Sequence, residues 1–586
     1  MATEYLNKCK GVVTYEQFGA VGDGKTEDFA AIMAAHDYAN EHGLDVHATA
    51  GKVYYINSTC GKSAIIKTNT HWNGATFIFD DSNILAHKSC GCKFCLEREG
   101  NIFKVESSLP TANVLDAVKA NLPILSSFDG NGTKKFENWP LDYDALVHIK
   151  SDERKVFIRM GANADAGDSV NEIILVHKDG TISETTPVSW NYTDMTSAVA
   201  YNAEDEPIII DGGGAVIQTI ANRAETNDYF YYARNILVHR SNVKICNFEH
   251  KVEEEQEFRA PYKGILRFEH AHNVTYENIV LQAARRKYVA SNNQQGTYEI
   301  GGYASNDIKF FNVNASNFFA TGASYDYNSY GVLHKKGEVG NRGMMGSNYC
   351  RNFHFEDCRI VNIDSHKGMG NLTVKNCELQ CILVMGAGKI LIKDTTIYAD
   401  RYKTVLLYRS DYGASFRGDI TLENVEVKYS DACFSSNPDA ALSLITLYHN
   451  PNNDYDKEYN KETGQYEDGM GSTNYMATNL YIKGLKMTKY HMLGYVEKNE
   501  RGFNDIEEEL LSSDAPIYVF NKNISCGFAG SDISKFASDG GHSDKNRHIP
   551  PETIVIENSY KDIVLPSSTT FKNNTKVIVD GEEVSL

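Results

Sequence analysis

Two short segments pair an acidic residue with a second functional side chain two positions away: Asp364 with His366 in CRIVNIDSHKG, and Arg409 with Asp411 in VLLYRSDYG. In an extended strand successive side chains alternate between faces, so residues two apart share one. If Val361, Ile363 and Ser365 point to a core, Asp364 and His366 point out together, and Arg409 and Asp411 repeat the arrangement. Between them CILVMGAG offers Gly386 and Gly388, which carry no side chain to fill the space and suggest a pocket floor. Two carboxyl groups on nearby strands are the equipment of a glycosidase, in which one protonates the leaving oxygen and the other activates water or attacks.

Parallel strands lie about 4.8 Å apart, so two spacings put the Asp364 and Asp411 backbones roughly 9 to 10 Å apart. Inverting enzymes hold their carboxyl groups about 6.5 to 9.5 Å apart, and the spacing suits inversion better than retention. Asp411 beside Arg409 is expected to stay ionised and act as base, leaving Asp364 or Glu299, in GTYEIGG, as acid, with His366 orienting either. Near the same column Tyr298, His334, Tyr408 and His449 are candidates for binding sugar, and Lys367 for meeting a uronate carboxylate. The competing reading is a structural charge ladder along a strand, with the tyrosines used for packing.

Such residues need a scaffold that sets strands side by side, and internal repeats supply one. Alternating apolar segments closed by Asn or Asp recur as VKICN (Asn247), VTYEN (Asn278), IKFFN (Asn312), FHFED (Asp357), LTVKN (Asn376), ILIKD (Asp394) and ITLEN (Asn424). Looser copies end at Gly484 and Asn558. Successive closing residues are 31, 34, 45, 19, 18 and 30 positions apart, so the short intervals measure one coil and the long ones hold insertions. A unit this small cannot bury its apolar face alone, and stacking the copies gives a solenoid. The closing Asn and Asp tolerate left-handed backbone and can form a ladder. Cys358 and Cys377, each just after such a turn, read as stacked core residues.

Near the start, Thr26 is the expected N-cap of a helix, with Glu27 and Asp28 in its first turn, Phe29, Ile32 and Met33 as its apolar stripe and Gly43 at its end. This helix is expected to cap the open end of the solenoid. FGAVGDGKTEDFAAI, from Phe18 to Ile32, resembles the FGAxGDGxTDDxxAI signature of the polygalacturonase and pectate-lyase-like superfamily, and the repeats extend the resemblance to about residue 450. Phage tailspikes share the motif. The resemblance implies a right-handed parallel β-helix, all-β, that binds and cleaves a poly- or oligosaccharide, and it leaves homo-oligomers open. The sequence holds no NTD motif, no paired DD motif in a matching repeat and no GHG motif of the polygalacturonase kind. The reading is therefore a glycoside hydrolase, most simply inverting and needing no cofactor. A polysaccharide lyase, with Arg409, Lys367 and calcium facing a uronate, and a non-catalytic glycan-binding or tailspike-like protein are the alternatives.

The expected organisation is a tail at 1–13, cap and first coils at 14–144, an antiparallel insertion at 145–205 turning at Asp179 and Gly180, the main β-helix at 206–450, a surface loop at 451–475, and C-terminal coils at 476–586. In CGCKFC, Cys90, Cys92 and Cys95 fall within six positions, and Cys60 or His87 would complete a structural zinc site; reduced loop cysteines are the plainer reading. A formal net charge of −19 disfavours nucleic acid, no membrane span is evident, and neutral glycans are favoured over strongly anionic ones. No apolar stretch of signal-peptide length opens the sequence, so a cytoplasmic location is expected, or a secreted one if a natural leader is missing from it.

Overall fold

The computed structural model describes residues 11–59, 61–82, 101–129, 131–159, 168–220, 234–253, 264–281, 299–315, 325–327, 333–335, 344–399, 403–408, 415–430, 441–447, 453–460, 465–468, 473–492, 508–512, 515–521, 547–566 and 569–586. Apolar alternation builds a stack of parallel strands with three faces, a parallel β-helix. One coil shows the plan. Ile236–His239 lies on what we call the front face, residues 243–246 of Val243–Glu253 form the second face, and 248–253 form the third. Each stacks in parallel register on its counterparts, as Ile236 does on Phe103 and Leu266, and Val243 on Ile208 and Val274. Inward residues from all three faces make one continuous core from Val13 to Val577. Among the described residues no helix is long and apolar enough to cross a membrane.

The repeat-closing residues do the work expected of them. All seven Asn and Asp of the regular repeats, with Gly484 and Asn558, have positive φ at the turn between the second and third faces. Their amides bond along the stack, Asn278 to Asn247 at 3.1 Å and Asn312 to Asn278 at 2.9 Å. A second ladder, not foreseen, runs along the front-to-second turn, from Asn273 to Asn242 at 2.7 Å and from Asn371 to Asn352 at 2.8 Å. Cys358 and Cys377 are buried, and the Cys358 N–H donates to the Cys377 sulfur at 3.4 Å.

The helix starts later than expected, at Phe29–His42, with Asp28 as N-cap, while Thr26 lies in the strand Asp23–Glu27. The reason lies in the bonds of Asp28. The Asp28 carboxylate is buried and accepts from the N–H groups of Val21 at 2.7 Å and Tyr55 at 3.2 Å, so it fastens the preceding turn instead of entering the helix. Phe29, Ile32, Ala35 and Ala39 join the solenoid core, and Gly43 ends the helix with left-handed backbone.

An insertion occupies 107–207, between the front strand Phe103–Glu106 and the second-face part of Ile208–Ile220. Its centre is the long strand Ala145–Arg159, antiparallel to both Asp168–Val176 and Ser197–Asn202. Gly180 turns the chain so that Val176 and Ile182 pair. The insertion begins before residue 145: Val114, Val118, Ile124 and Phe136 belong to its own core rather than to the first coils. Residues 451–475 also differ from a surface loop, because Asn453–Asn460 pairs with Ala145–Arg159 and Gln465–Asp468 extends the same six-stranded sheet.

Candidate functional site

The inserted sheet docks on the front face and the adjoining turn. Arg351 bonds to Glu172 and donates to the Pro187 carbonyl at 2.5 Å; Asn352 donates to the Thr185 carbonyl at 2.9 Å; Arg417 lies 5.3 Å over the Phe128 ring. Met385 of the solenoid is packed into the insertion's core. The junction where the ends of the front strands meet the strands Ala145–Arg159, Asp168–Val176 and Ser197–Asn202 is the candidate site, called the cleft below. Its residues His148, Tyr201, His239, Glu269, His270 and Tyr303 are all partly exposed.

Their contacts fix an orientation. The Tyr201 ring stacks on His270 at 4.2 Å and 6°, and Tyr303 meets His270 edge-on at 5.3 Å. Asn171 donates its amide to the Ser169 carbonyl at 2.9 Å, so its oxygen faces His148 Nε2 at 3.0 Å, and that nitrogen carries the proton. His148 Nδ1 is then the acceptor for His270 Nε2–H at 3.1 Å, which leaves Nδ1 as the basic nitrogen of His270. Burial first, then His148 and His239, push the His270 pKa down to about 3, and burial likewise lowers those of His148 and His239. Three uncharged imidazoles therefore line one wall.

Charge sits on either side of Tyr303. Glu269 is bound to Arg267, with side chains 31% and 16% exposed. Asp168, reaching in from the inserted sheet, pairs with Lys367 at 2.8 Å and accepts from the Tyr349 hydroxyl. Burial, then Asp168 and then Glu269, raise the Tyr303 pKa to about 12, so its hydroxyl lies within the field of both carboxylates and remains protonated. Glu269, Tyr303, Asn348 and Lys367 are successive outward partners along the front face. The cleft thus offers aromatic faces, neutral hydrogen-bonding groups and two carboxylates, Glu269 one rung before Tyr303 and Asp168 on Lys367 two rungs after it.

The residues expected from sequence are distributed differently. Asp364 does point outward, in the column Arg267, Gly301, Gly346, Asp364, Leu383, Leu407, yet it is fully buried there instead of lining an open groove. Two coils on, its register partner is Leu407, and Asp411, the other member of the expected pair, lies outside the described residues. His366 occupies the extra position of a β-bulge, since Ser365 pairs with Ser347 and Lys367 with Asn348. At Gly386 and Gly388 a Cβ would lie 2.2 Å from the Met369 carbonyl oxygen and 2.4 Å from Asn371 Oδ1, so close stacking of coils requires glycine.

Glu299 is sealed in the interior, 3.6 Å from His250, whose other ring nitrogen meets the Thr219 hydroxyl at 3.0 Å. Tyr408 is a core residue bonded to the Met476 carbonyl and offers no sugar platform. Of the expected residues that are described, Lys367 reaches the cleft, through its pair with Asp168. Tyr298, Arg409, Asp411, His449, Cys60, Cys90, Cys92, Cys95 and His87 lie outside the described residues, as do the side chains of His334 and His366. Among the described residues, one group able to hold a metal, Asp45, His47 and His71, lies on the first coils.

A signal for the cleft was present in the repeats. Aligned on the front-to-second turn, LVHRSN, RFEHAHN and GGYASN place His239, Glu269 with His270, and Tyr303 at the ends of successive front strands. Their partners His148, Asp168 and Tyr201 come from the insertion and carry no repeat signature.

No family model matches the chain, and no curated protein matches it. Among solved structures it is similar to the Gp54 tailspike of Acinetobacter baumannii bacteriophage AP22 in complex with capsular saccharide, at 10% identity and TM-score 0.43 over 98% of this chain and 80% of that one. The A-module of the Azotobacter vinelandii mannuronan C-5 epimerase AlgE6 matches at 11% identity and TM-score 0.34, covering 97% and 99%. The family 28 exopolygalacturonase of Yersinia enterocolitica matches at 11% and 0.28, covering 98% and 79%. Independently of these likenesses, the strand pairing itself makes the chain a parallel β-helix with an antiparallel sheet docked on its front face.

Proposed function

We propose that this protein binds a poly- or oligosaccharide in the cleft between front face and inserted sheet, and hydrolyses a glycosidic bond there. The observation that carries the reading is the run of register partners Glu269, Tyr303, Asn348 and Lys367, with Asp168 paired to Lys367, beside the stacked Tyr201 and His270. Tyrosine faces suit the apolar faces of sugar rings, and neutral imidazoles with a protonated phenol suit their hydroxyls. Hydrolysis with inversion requires one carboxyl group on each side of the scissile bond, with water between. Asp168, held by Lys367 and Tyr349, is the water-activating base. Glu269 is the proton donor once substrate displaces Arg267.

β-Elimination is less well supported. It needs a base matched to the working pH, and a histidine held near 3 is a weak one.

Incubation with a broad panel of plant, algal and host glycans, followed by mass analysis, tests the proposal. Fragments heavier by one water support hydrolysis. Unsaturated, ultraviolet-absorbing fragments would replace it with elimination, and retention of a glycan without fragments would reduce the protein to a binding module.

A further inference from the structure

On the first coils, far along the chain from the cleft residues, three metal-ligating side chains converge on the second face. Asp45 and His47 lie two apart on the strand Asp45–His47, so they share its outward side while Val46 is buried in the core. His71 is the register partner of His47 on the next rung. The two rings are 4.6 Å apart and tilted by 37°. One donor atom from each of the three residues lies within 4.8 Å of the others, and all three residues are partly exposed, so an ion and water can reach them.

We propose that Asp45, His47 and His71 bind one divalent transition cation of the zinc, cobalt or nickel class, which ties the first coil to the second. Two imidazoles and one carboxylate make a borderline donor set, which selects these ions over calcium or magnesium, whose preference is for all-oxygen cages. Around a tetrahedral ion with bonds of about 2.0–2.1 Å the donors stand about 3.3 Å apart. Closing to that separation from 4.8 Å asks only for side-chain rotation, because the backbones are already one rung apart.

An outer shell is in place. Asn69 donates to Asp45 Oδ1 at 3.2 Å while its own oxygen accepts the Ile209 N–H at 3.0 Å, so a backbone anchor orients the carboxylate. The Asn73 amide approaches His47 Nδ1 at 3.4 Å, a contact too long to oppose ligation. The remaining coordination positions fall to water.

The test is calorimetric titration of zinc chloride into the full-length, untagged protein carrying Cys90→Ser, Cys92→Ser and Cys95→Ser, which removes the competing thiolates. One equivalent should bind, and zinc should raise the thermal midpoint. His47→Ala and His71→Ala should each weaken binding by more than about 100-fold, and Asn69→Ala by about 10- to 100-fold, the usual effect of an outer-shell partner. Far-ultraviolet circular dichroism establishes that each variant is folded, and His47→Gln or His71→Gln, which keep size and polarity, replaces the alanine variant at the same position if that one is not. Absence of binding by the parent would overturn the site, as would unchanged affinity in the folded His47 and His71 variants.

Discussion

Removing the Arg351 guanidinium should detach the inserted sheet from the β-helix while leaving the helix intact. The Arg351 and Glu172 side chains are only 8% and 5% exposed. Glu172 also accepts from the Ser189 N–H at 2.9 Å and the Tyr192 hydroxyl at 2.9 Å, so it is fixed in place and cannot swing to solvent. In Arg351→Met the carboxylate remains buried without its cation, a loss worth about 3–5 kcal/mol. At about 1.4 kcal/mol per decade, amide protection in Asp168–Val176 should fall by roughly 100- to 4,000-fold. Hydrogen exchange read by mass spectrometry gives this directly, with the strand Val243–Glu253 as an internal control that should not change. Adding Glu172→Leu removes the stranded charge and should restore most of the protection, because an apolar pair of similar volume replaces a buried ion pair at little cost. Protection within threefold of the parent in Arg351→Met would refute the reasoning and show that the docking is carried by apolar contacts instead.

Other outcomes follow from the same geometry. Asn278→Ala should destabilise by about 1–2 kcal/mol through its left-handed backbone, plus about 0.5–1.5 kcal/mol for each ladder bond lost, whereas Asn278→Gly should lose only the ladder; urea titration separates the two. Gly386→Ala, whose Cβ would meet the Met369 carbonyl oxygen at 2.2 Å with φ at +136°, should cost more than about 1 kcal/mol, read by exchange of the strand Gly386–Lys393. Because the folded-state pKa of His270 is lowered to about 3 from an ordinary value of 6.5, the unfolded chain binds the extra proton first. The stability this ring contributes is thus complete above about 6.5 and drains away as pH falls toward 3. His270→Gln should flatten that part of the stability profile measured by urea titration at a series of pH values.

Much of the scaffold was legible because its signals are local. An apolar alternation and a turn residue that accepts positive φ lie within a few positions of each other, so Asn247, Asn278 and Asn312 announced the coil corners unaided. The helix was shifted because the buried bonds of Asp28 to Val21 and Tyr55 outweigh the capping preference of Thr26, and one of those partners is distant in sequence. Alternation also gave the correct side of the strand for Asp364, but it cannot say what covers that side. At His366 a single inserted residue reversed the parity. The cleft was hidden for a different reason: His148 meets His270 across 122 positions, and Arg351 meets Glu172 across 179, with no period to betray either contact.

The central claim, that the cleft between front face and inserted sheet cleaves glycan, is tested most directly by kcat/KM of Glu269→Gln and Asp168→Asn on a glycan the parent cleaves. Each amide preserves shape but cannot exchange a proton, and the loss of a general acid or base typically costs 10²- to 10⁴-fold. The expected result is a fall of that size in both variants, with hydrogen exchange across the inserted sheet unchanged. Near-parent rates in both, with the fold intact, would contradict the assignment and move the chemistry away from this cleft.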